Sequence, residues 1–250
     1  MAGLLEVPTS NNPPSRFAFL AVEDWTRCMA LEVESKDCNA LGDAEISDMA
    51  DLCAEHRVPF EAGELSKQTE EWVLCCEALD NGRLKGFAFY TLERIGGTPA
   101  IIIGLGSICR SSRRDSVLRG MITDLMHRAV MAFPDEDVVV GLRMQTPDGF
   151  ELLKSFNDIV PRPDHKASGE ERAWGRRFAK RFGISPLRYA DRTFSSKGNG
   201  ELPCVFDHES SKPEAIDQEV AAFFDELDVD NGDVLIGFGW AMSEDLAKYA

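Results

Sequence analysis

Four arginines, Arg110, Arg113, Arg114 and Arg119, fall within ten residues, where an apolar run gives way to a helical pattern. The first amides of a helix have no partner inside it, and the helix dipole puts its positive end there. A loop at that point attracts anions, phosphates above all, and guanidinium groups add charge-assisted hydrogen bonds to them. Ser116 is a natural cap for such a helix. The plainer alternative is an exposed basic loop that covers the start of a core helix.

Acid–base chemistry has two candidates upstream. Glu77 and Glu93 stand on strands beside the apolar run and could take a proton from an amine. Solvated strand-face carboxylates are the competing reading. Cys109 has no histidine in a partner motif and reads as a small buried hydrophobe rather than a nucleophile. His56, His127, His165 and His208 are isolated, with no second His or Cys at ligand spacing. Asp228-Val229-Asp230-Asn231-Gly232 is one position too short for a calcium loop and lacks its bidentate glutamate. No metal is therefore expected. Gly104-Leu105-Gly106 lies inside a strand pattern without a third glycine, so it marks a bulge or splay rather than a dinucleotide turn. Trp174, Arg176, Arg177, Lys180 and Arg181 give one helix an aromatic stripe and a basic back. Core packing explains that pattern. RNA, an anionic membrane, a cofactor phosphate or an acidic acceptor are its functional alternatives.

These residues are carried by a readable order of elements. Glu71–Leu79 and Leu84–Ile95 read as strands joined by Asp80-Asn81-Gly82, a strong hairpin turn. Ala100–Cys109 follows a second turn and is almost wholly apolar, which marks a central strand. A helix over Ser116–Phe133, a strand over Asp137–Met144 and a short helix over Phe150–Phe156 come next. Asp43–Arg57 is a further helix. After Pro161-Arg162-Pro163, helices are expected over Gly169–Phe182, Pro213–Leu227 and Ser243–Tyr249, with a strand over Asp233–Trp240. The expected division is an irregular lead-in over 1–16, a core over 17–160, and a C-terminal α/β extension over 161–250 that completes the fold or covers an acceptor.

Composition excludes other classes. The chain has 250 residues and a net charge of −16, without an apolar run of about 18 residues that would span a membrane. Its first ten residues lack the basic and apolar regions of a signal peptide. Seven cysteines without a C-x-x-C pair fit a reducing cytoplasm rather than a disulfide framework. Residues 110–200 carry 17 Lys or Arg against 12 Asp or Glu. Residues 1–109 and 201–250 are acidic, at 8 against 18 and 2 against 13. That argues against general nucleic-acid binding and points to an anionic ligand at the basic centre.

The order of meander, arginine loop, helix, strand and short helix over 71–160 resembles the GNAT family of acyl-CoA N-acyltransferases. The resemblance implies an α/β fold with a mixed, mostly antiparallel central sheet flanked by helices. It also implies a pyrophosphate loop at Arg113-Arg114-Asp115-Ser116-Val117-Leu118, flanked by Arg110. Acetyl-CoA or another acyl-CoA is the implied co-substrate, and a small-molecule amine or a peptide the acceptor. The backbone N–H of Ile108 or Cys109, at the splayed end of the fourth strand, is the implied oxyanion donor. Attack by an amine would need a base, for which Glu77 and Glu93 are the candidates by position. Ser116 and Leu118 stand where the family has small residues, and no tyrosine occupies the 150–156 helix. Those departures support a rival, a non-catalytic GNAT-like binding or regulatory module. Transfer of a longer acyl or aminoacyl group is a third reading. A homodimer remains open.

Overall fold

Asn81 and Gly82 both adopt positive φ, 53° and 71°, and close the hairpin that the sequence marks there. The structure is a computed structural model that describes residues 31–54, 59–201, 203–207 and 216–250. The lead-in over 1–16, the start of the expected core at 17–30, His56 and His208 lie outside the described residues.

In chain order, β1 spans Leu31–Asp37, α1 Asp43–Cys53, α2 Ala62–Glu71 and β2 Leu74–Asp80. The meander continues with β3, Arg83–Ile95, and β4, Thr98–Ile108. Then come α3, Arg114–Ala132, β5, Val138–Met144, α4, Phe150–Leu153, and β6, Asn157–Val160. The following stretch holds α5, Gly169–Arg181, and three two-residue strands: β7, Tyr189–Ala190, β8, Ser195–Ser196, and β9, Phe206–Asp207. The chain ends with α6, Gln218–Ala221, β10, Val234–Ala241, and α7, Ser243–Leu246.

The strands form a mixed sheet in the order β1-β2-β3-β4-β5-β10-β8-β7, with β6 paired to β10 and β9 to β4. Neighbours pair antiparallel except β4 with β5 and β4 with β9. This is the expected fold class, a mostly antiparallel sheet flanked by helices. Strand β10 enters beside β5, in register from Leu235–Met144 to Ala241–Val138. Residues 161–233 are thus inserted between two strands that pair with each other, β6 and β10.

Each face is covered for a visible reason. Val117, Leu118, Met121, Ile122, Leu125 and Met126 form the buried stripe of α3. Gly86 on β3 lets that helix close in, since a Cβ there would lie 2.9 Å from Val117. Helices α1 and α2 cover the other face through Ile46, Met49, Cys53 and Leu65. Helix α5 packs Phe178 over Gly141 of β5, where a Cβ would sit 2.2 Å from the ring.

Two stretches differ most from the sequence expectation. Glu71 ends a helix, and the strand begins only at Leu74. Helix α2 buries Leu65 alone, so its sequence lacks an apolar stripe to read. The helix expected over Pro213–Leu227 is reduced, among the described residues, to the single turn α6 and a 3-10 turn at Ala222–Phe224.

The bulge on β4 generates a test. A Cβ at Gly104 would lie 2.0 Å from the Trp72 ring, whereas one at Gly63 in α2 meets nothing. Gly104→Ala is expected to lower stability by about 1–3 kcal/mol through overpacking. Gly63→Ala is expected to raise it by up to about 1 kcal/mol. Urea midpoints at equal m-values check both, and coincident midpoints for the two variants would refute this account of β4.

Candidate functional site

Strands β4 and β5 pair only from Ala100–Val139 to Ile103–Leu142. Across β4, the ladder with β3 steps from Ile103–Tyr90 to Leu105–Phe89, so Gly104 is the extra residue of a bulge. Beyond it the two parallel strands part. The glycines that mark a bulge or splay in the sequence therefore stand where one occurs.

The gap is filled by the chain itself. Strand β9 runs parallel to β4, with Phe206 opposite Gly106 and Asp207 opposite Ser107. The Gly106 N–H donates to the Val205 carbonyl at 3.3 Å. Phe206 is buried, at 1% exposure. Two glycines make room for it. A Cβ at Gly106 would lie 2.8 Å from the Phe206 ring, and one at Gly149 would lie 2.8 Å from its carbonyl oxygen. Gly149 ends the 3-10 turn after β5, Pro147–Gly149, so β9 is clasped from both sides of the splay.

The arginine loop stands at the start of α3, with Arg113 as its N-cap. Arg113, exposed, pairs with Asp80 at 2.7 Å. Arg114 turns inward to 5% exposure and pairs with Asp115 at 3.2 Å. Arg110 and Ser116 are exposed, while Val117 and Leu118 face the core. The loop amides are engaged locally. Arg113 N–H donates to Ser111 Oγ and Arg114 N–H to the Ser111 carbonyl, both at 3.3 Å. The Ser116 and Val117 amides donate to the Arg113 carbonyl.

Of the two expected oxyanion donors, Cys109 is turned away from the splay and Ile108 is turned toward it. The Cys109 N–H donates to the Lys85 carbonyl at 2.8 Å, on the β3 side and away from the splay. Ile108, one residue back, lies opposite Gly86 without bonding to it and directs its N–H to the other edge of β4, where the Gly106 N–H meets β9. The two base candidates are not brought together. Glu93 lies opposite Ala100, at the end of β4 remote from the splay, and pairs with Arg181 at 2.9 Å. Glu77 is on β2, which does not touch β4, correcting the expectation of a flanking strand. Its register neighbours across the sheet are Phe87 and then Ser107, so it sits about 10 Å from β4 at the level of the splay. Glu77 is 8% exposed and pairs with Lys36 at 2.5 Å. Burial alone would lower the Lys36 pKa, but hydrogen bonds to Glu45 and Glu77 outweigh it and hold the ammonium above its ordinary value. The adjoining cavity of about 520 Å³ carries Glu32, Glu34, Glu45, Asp48 and Glu77 on its walls. Among the described residues, no group of three or more His, Cys, Asp or Glu is arranged to hold a metal ion.

Two features escape a linear reading. Arg143 on β5 stacks over Phe182 at 5.2 Å, and its Nε is buried without a hydrogen-bond partner. Burial lowers its pKa. The second feature lies in the insertion. His165 Nε2 lies 2.9 Å from both Glu171 oxygens, and Arg162 donates to Glu171 at 3.1 Å, to the Ile159 carbonyl at 3.0 Å and to His165 Nδ1 at 3.3 Å. Only the Ser168-x-x-Glu171 capping box is a signal visible in sequence.

The parting of β4 and β5 beside the start of α3 is the arrangement that the sequence resemblance implies. It is similar to the ribosomal-protein-S18-alanine N-acetyltransferase from Escherichia coli, at 12% identity over 56% of this chain and 86% of that one, with a TM-score of 0.38. It is similar to Escherichia coli ElaA, at 16% identity, 56% and 95% coverage and a TM-score of 0.38. A GNAT family acetyltransferase from Brucella melitensis, solved with acetyl-CoA, aligns at 14% identity, 44% and 75% coverage and a TM-score of 0.32. No family model matches the chain, and no curated protein matches it.

The Glu171 cluster has a pH signature. Burial alone would raise the carboxyl pKa, but hydrogen bonds from His165 and Ser168 outweigh it and hold it at about 2, below the ordinary 4.5. A carboxyl depressed on folding stabilises above its unfolded pKa and loses that contribution as pH falls through its folded pKa. Glu171→Gln is therefore expected to lower the melting temperature at pH 7, with the gap to wild type closing between pH 4.5 and about 2. A gap constant over that window would contradict the assignment.

Proposed function

We propose that this chain is a GNAT-like ligand-binding or regulatory module whose acyl-CoA slot is closed by its own strand β9. One observation carries the reading: Phe206 and Asp207 occupy the open edge of β4, with Phe206 buried. The resemblance implies that the pantetheine arm of the cofactor would pair with that edge as an added strand. The residues present do not fit the cofactor while β9 holds that place. Admitting it requires breaking the β9 pairing and exposing a phenylalanine, whose burial contributes about 1.5–3 kcal/mol. The local bonds at Arg113, Arg114, Ser116 and Val117, and the Arg113–Asp80 pair, support the same reading.

A second reading has its own support. Glu77 stands level with the splay beside an acidic cavity, which suits a cationic amine. On this reading the chain is an acyl-CoA-dependent N-acyltransferase, of acetyl or a longer acyl group, and β9 withdraws when the cofactor arrives. The acceptor is a small-molecule amine or a peptide, and the compartment is cytoplasmic.

Titration calorimetry with acetyl-CoA and a long-chain acyl-CoA separates the two. The wild-type chain is expected to show no binding at about 1 mM ligand. Phe206→Ala is expected to gain measurable affinity, because a closed slot reduces apparent affinity by the fraction of open molecules. Micromolar binding by the wild type, weakened by Arg113→Ala, would overturn the first reading and install the second.

A further inference from the structure

The inserted segment encloses a cavity of about 260 Å³ that is separate from the β4–β5 splay. Three stretches distant in sequence form it: 160–167, 192–197 and 222–227. One part of its wall is apolar, from Val160, Phe223 and Leu227. Another part is cationic, from Arg162, Arg192 and Lys197, with the hydroxyls of Thr193 and Ser195 alongside. Among the described residues, Glu226 is the one carboxylate on the lining.

We infer that this cavity binds a small organic anion, an apolar body bearing a single carboxylate or phosphate. Charge bookkeeping is the first support. Arg162 is matched by Glu171 at 3.1 Å and Lys197 by Asp233 at 2.7 Å. Glu226 adds its field to Lys197. Arg192 lines the cavity and is exposed, with no carboxylate partner among the described residues. A guanidinium left without a carboxylate is suited to an oxyanion, while the Thr193 and Ser195 hydroxyls beside it bond each other at 2.8 Å.

Preorganisation is the second support. Arg162 is held through three acceptors, the Ile159 carbonyl, Glu171 Oε1 and His165 Nδ1. Because arginine only donates, His165 Nδ1 accepts, and the ring proton sits on Nε2 facing Glu171. Both ring nitrogens are thus engaged, so His165 positions Arg162. The guanidinium keeps its Nε–H and one Nη2 proton for a ligand.

Backbone strain is the third support. Phe194 and Asp164 have φ of 57° and 53°, a left-handed conformation that is an outlier for a bulky aromatic. Phe194 is fixed there because its ring packs against Phe238 at 6.2 Å and its carbonyl accepts the Ile236 N–H at 2.8 Å. The strained residue separates Thr193 from Ser195, the two hydroxyls on the lining. Such strain collects at ligand sites. Size sets the ligand class, since the cavity is smaller than the about 300–1,000 Å³ of drug-sized sites.

The test is calorimetric titration of the full chain with phenyl phosphate and 3-phenylpropanoate. Inorganic phosphate and acetate serve as head-group controls, and benzyl alcohol as the body control. At least one of the two aromatic anions is expected to bind at least tenfold more tightly than every control. Which of them binds tighter distinguishes a phosphate ligand from a carboxylate. Arg192→Ala is expected to weaken that binding at least tenfold while leaving the melting temperature unchanged, since the side chain is exposed and unpaired. Ala222→Trp, at an exposed lining position, is expected to abolish it by filling the cavity. Failure of both aromatic anions to bind at about 1 mM, or binding that survives Arg192→Ala, would overturn the assignment. The outcome is independent of the acyl-CoA titration, because Arg192 lies outside the splay.

Discussion

A buried strand cannot leave its amides and carbonyls unpaired, and that constraint governs this molecule at β4. Each unmade hydrogen bond in the interior costs about 1–3 kcal/mol. Strand β4 is buried almost throughout, yet it loses β5 as a partner after Ile103. Something strand-like must take the vacated edge. A peptide-like ligand arm would meet the requirement, and so does a piece of the same chain. Here residues 205–207 meet it, and Gly106 and Gly149 leave the space their side chains would have taken. The glycines and the strand fit one another, which marks β9 as part of the packing.

That solution depends on how the insertion is fastened. Phe178 stacks on Phe238 at 5.6 Å, Phe194 meets the same ring at 6.2 Å, and Trp174 meets Trp240 edge-on at 5.5 Å. All three contacts bind α5 or the β8 approach to β10. Gly141 lets Phe178 lie flat on β5. The aromatic stripe of α5 is thus a core face, and its basic back is solvated or paired, as with Arg176 to Asp191. Removing such a buried aromatic typically costs about 3–5 kcal/mol, so these contacts fasten the insertion to the sheet.

Local rules made much of this legible. The Asn81-Gly82 turn, the apolar run of β4 and the stripe of α3 follow from φ preference and periodicity, and each stands within a few residues of its expected place. The arginine loop was also placed, because a helix start is a local feature. What failed was nonlocal. Nothing in the two residues of β9 marks them as a strand, since no period exists in so short a segment. Asp80 sits in a hairpin turn, and only the fold brings it to Arg113. The direction of the Cys109 N–H depends on which neighbour β4 keeps, β3 or β5. Helix α2 hid because a helix with one buried residue has no face to read.

The strand that closes the splay and the walls of the inserted cavity share one segment, yet they are mechanically separated. Between them the chain is bolted down by Asp233, which is fully buried. Its Oδ1 accepts from the Gly198 N–H at 2.8 Å and from Asn231 at 3.1 Å. Its Oδ2 accepts from Lys197 at 2.7 Å and from the Asp228 N–H at 3.1 Å. Burial alone would raise its pKa, but these donors outweigh it and hold the carboxyl at about 2, so it is ionised throughout the physiological range. Gly200 adds a backbone bond to Asn231, and Gly198 lies so close to that residue that a Cβ would meet its carbonyl at 1.9 Å. Residues 197–200 are thus tied to the 228–233 turn between the two sites. A ligand in the cavity shifts the splay only if it binds the open and closed forms with different affinity. Lys197 lines the cavity and binds Asp233, and Phe194 and Ser195 on the same wall are tied to β10, so any such difference in affinity acts through these residues.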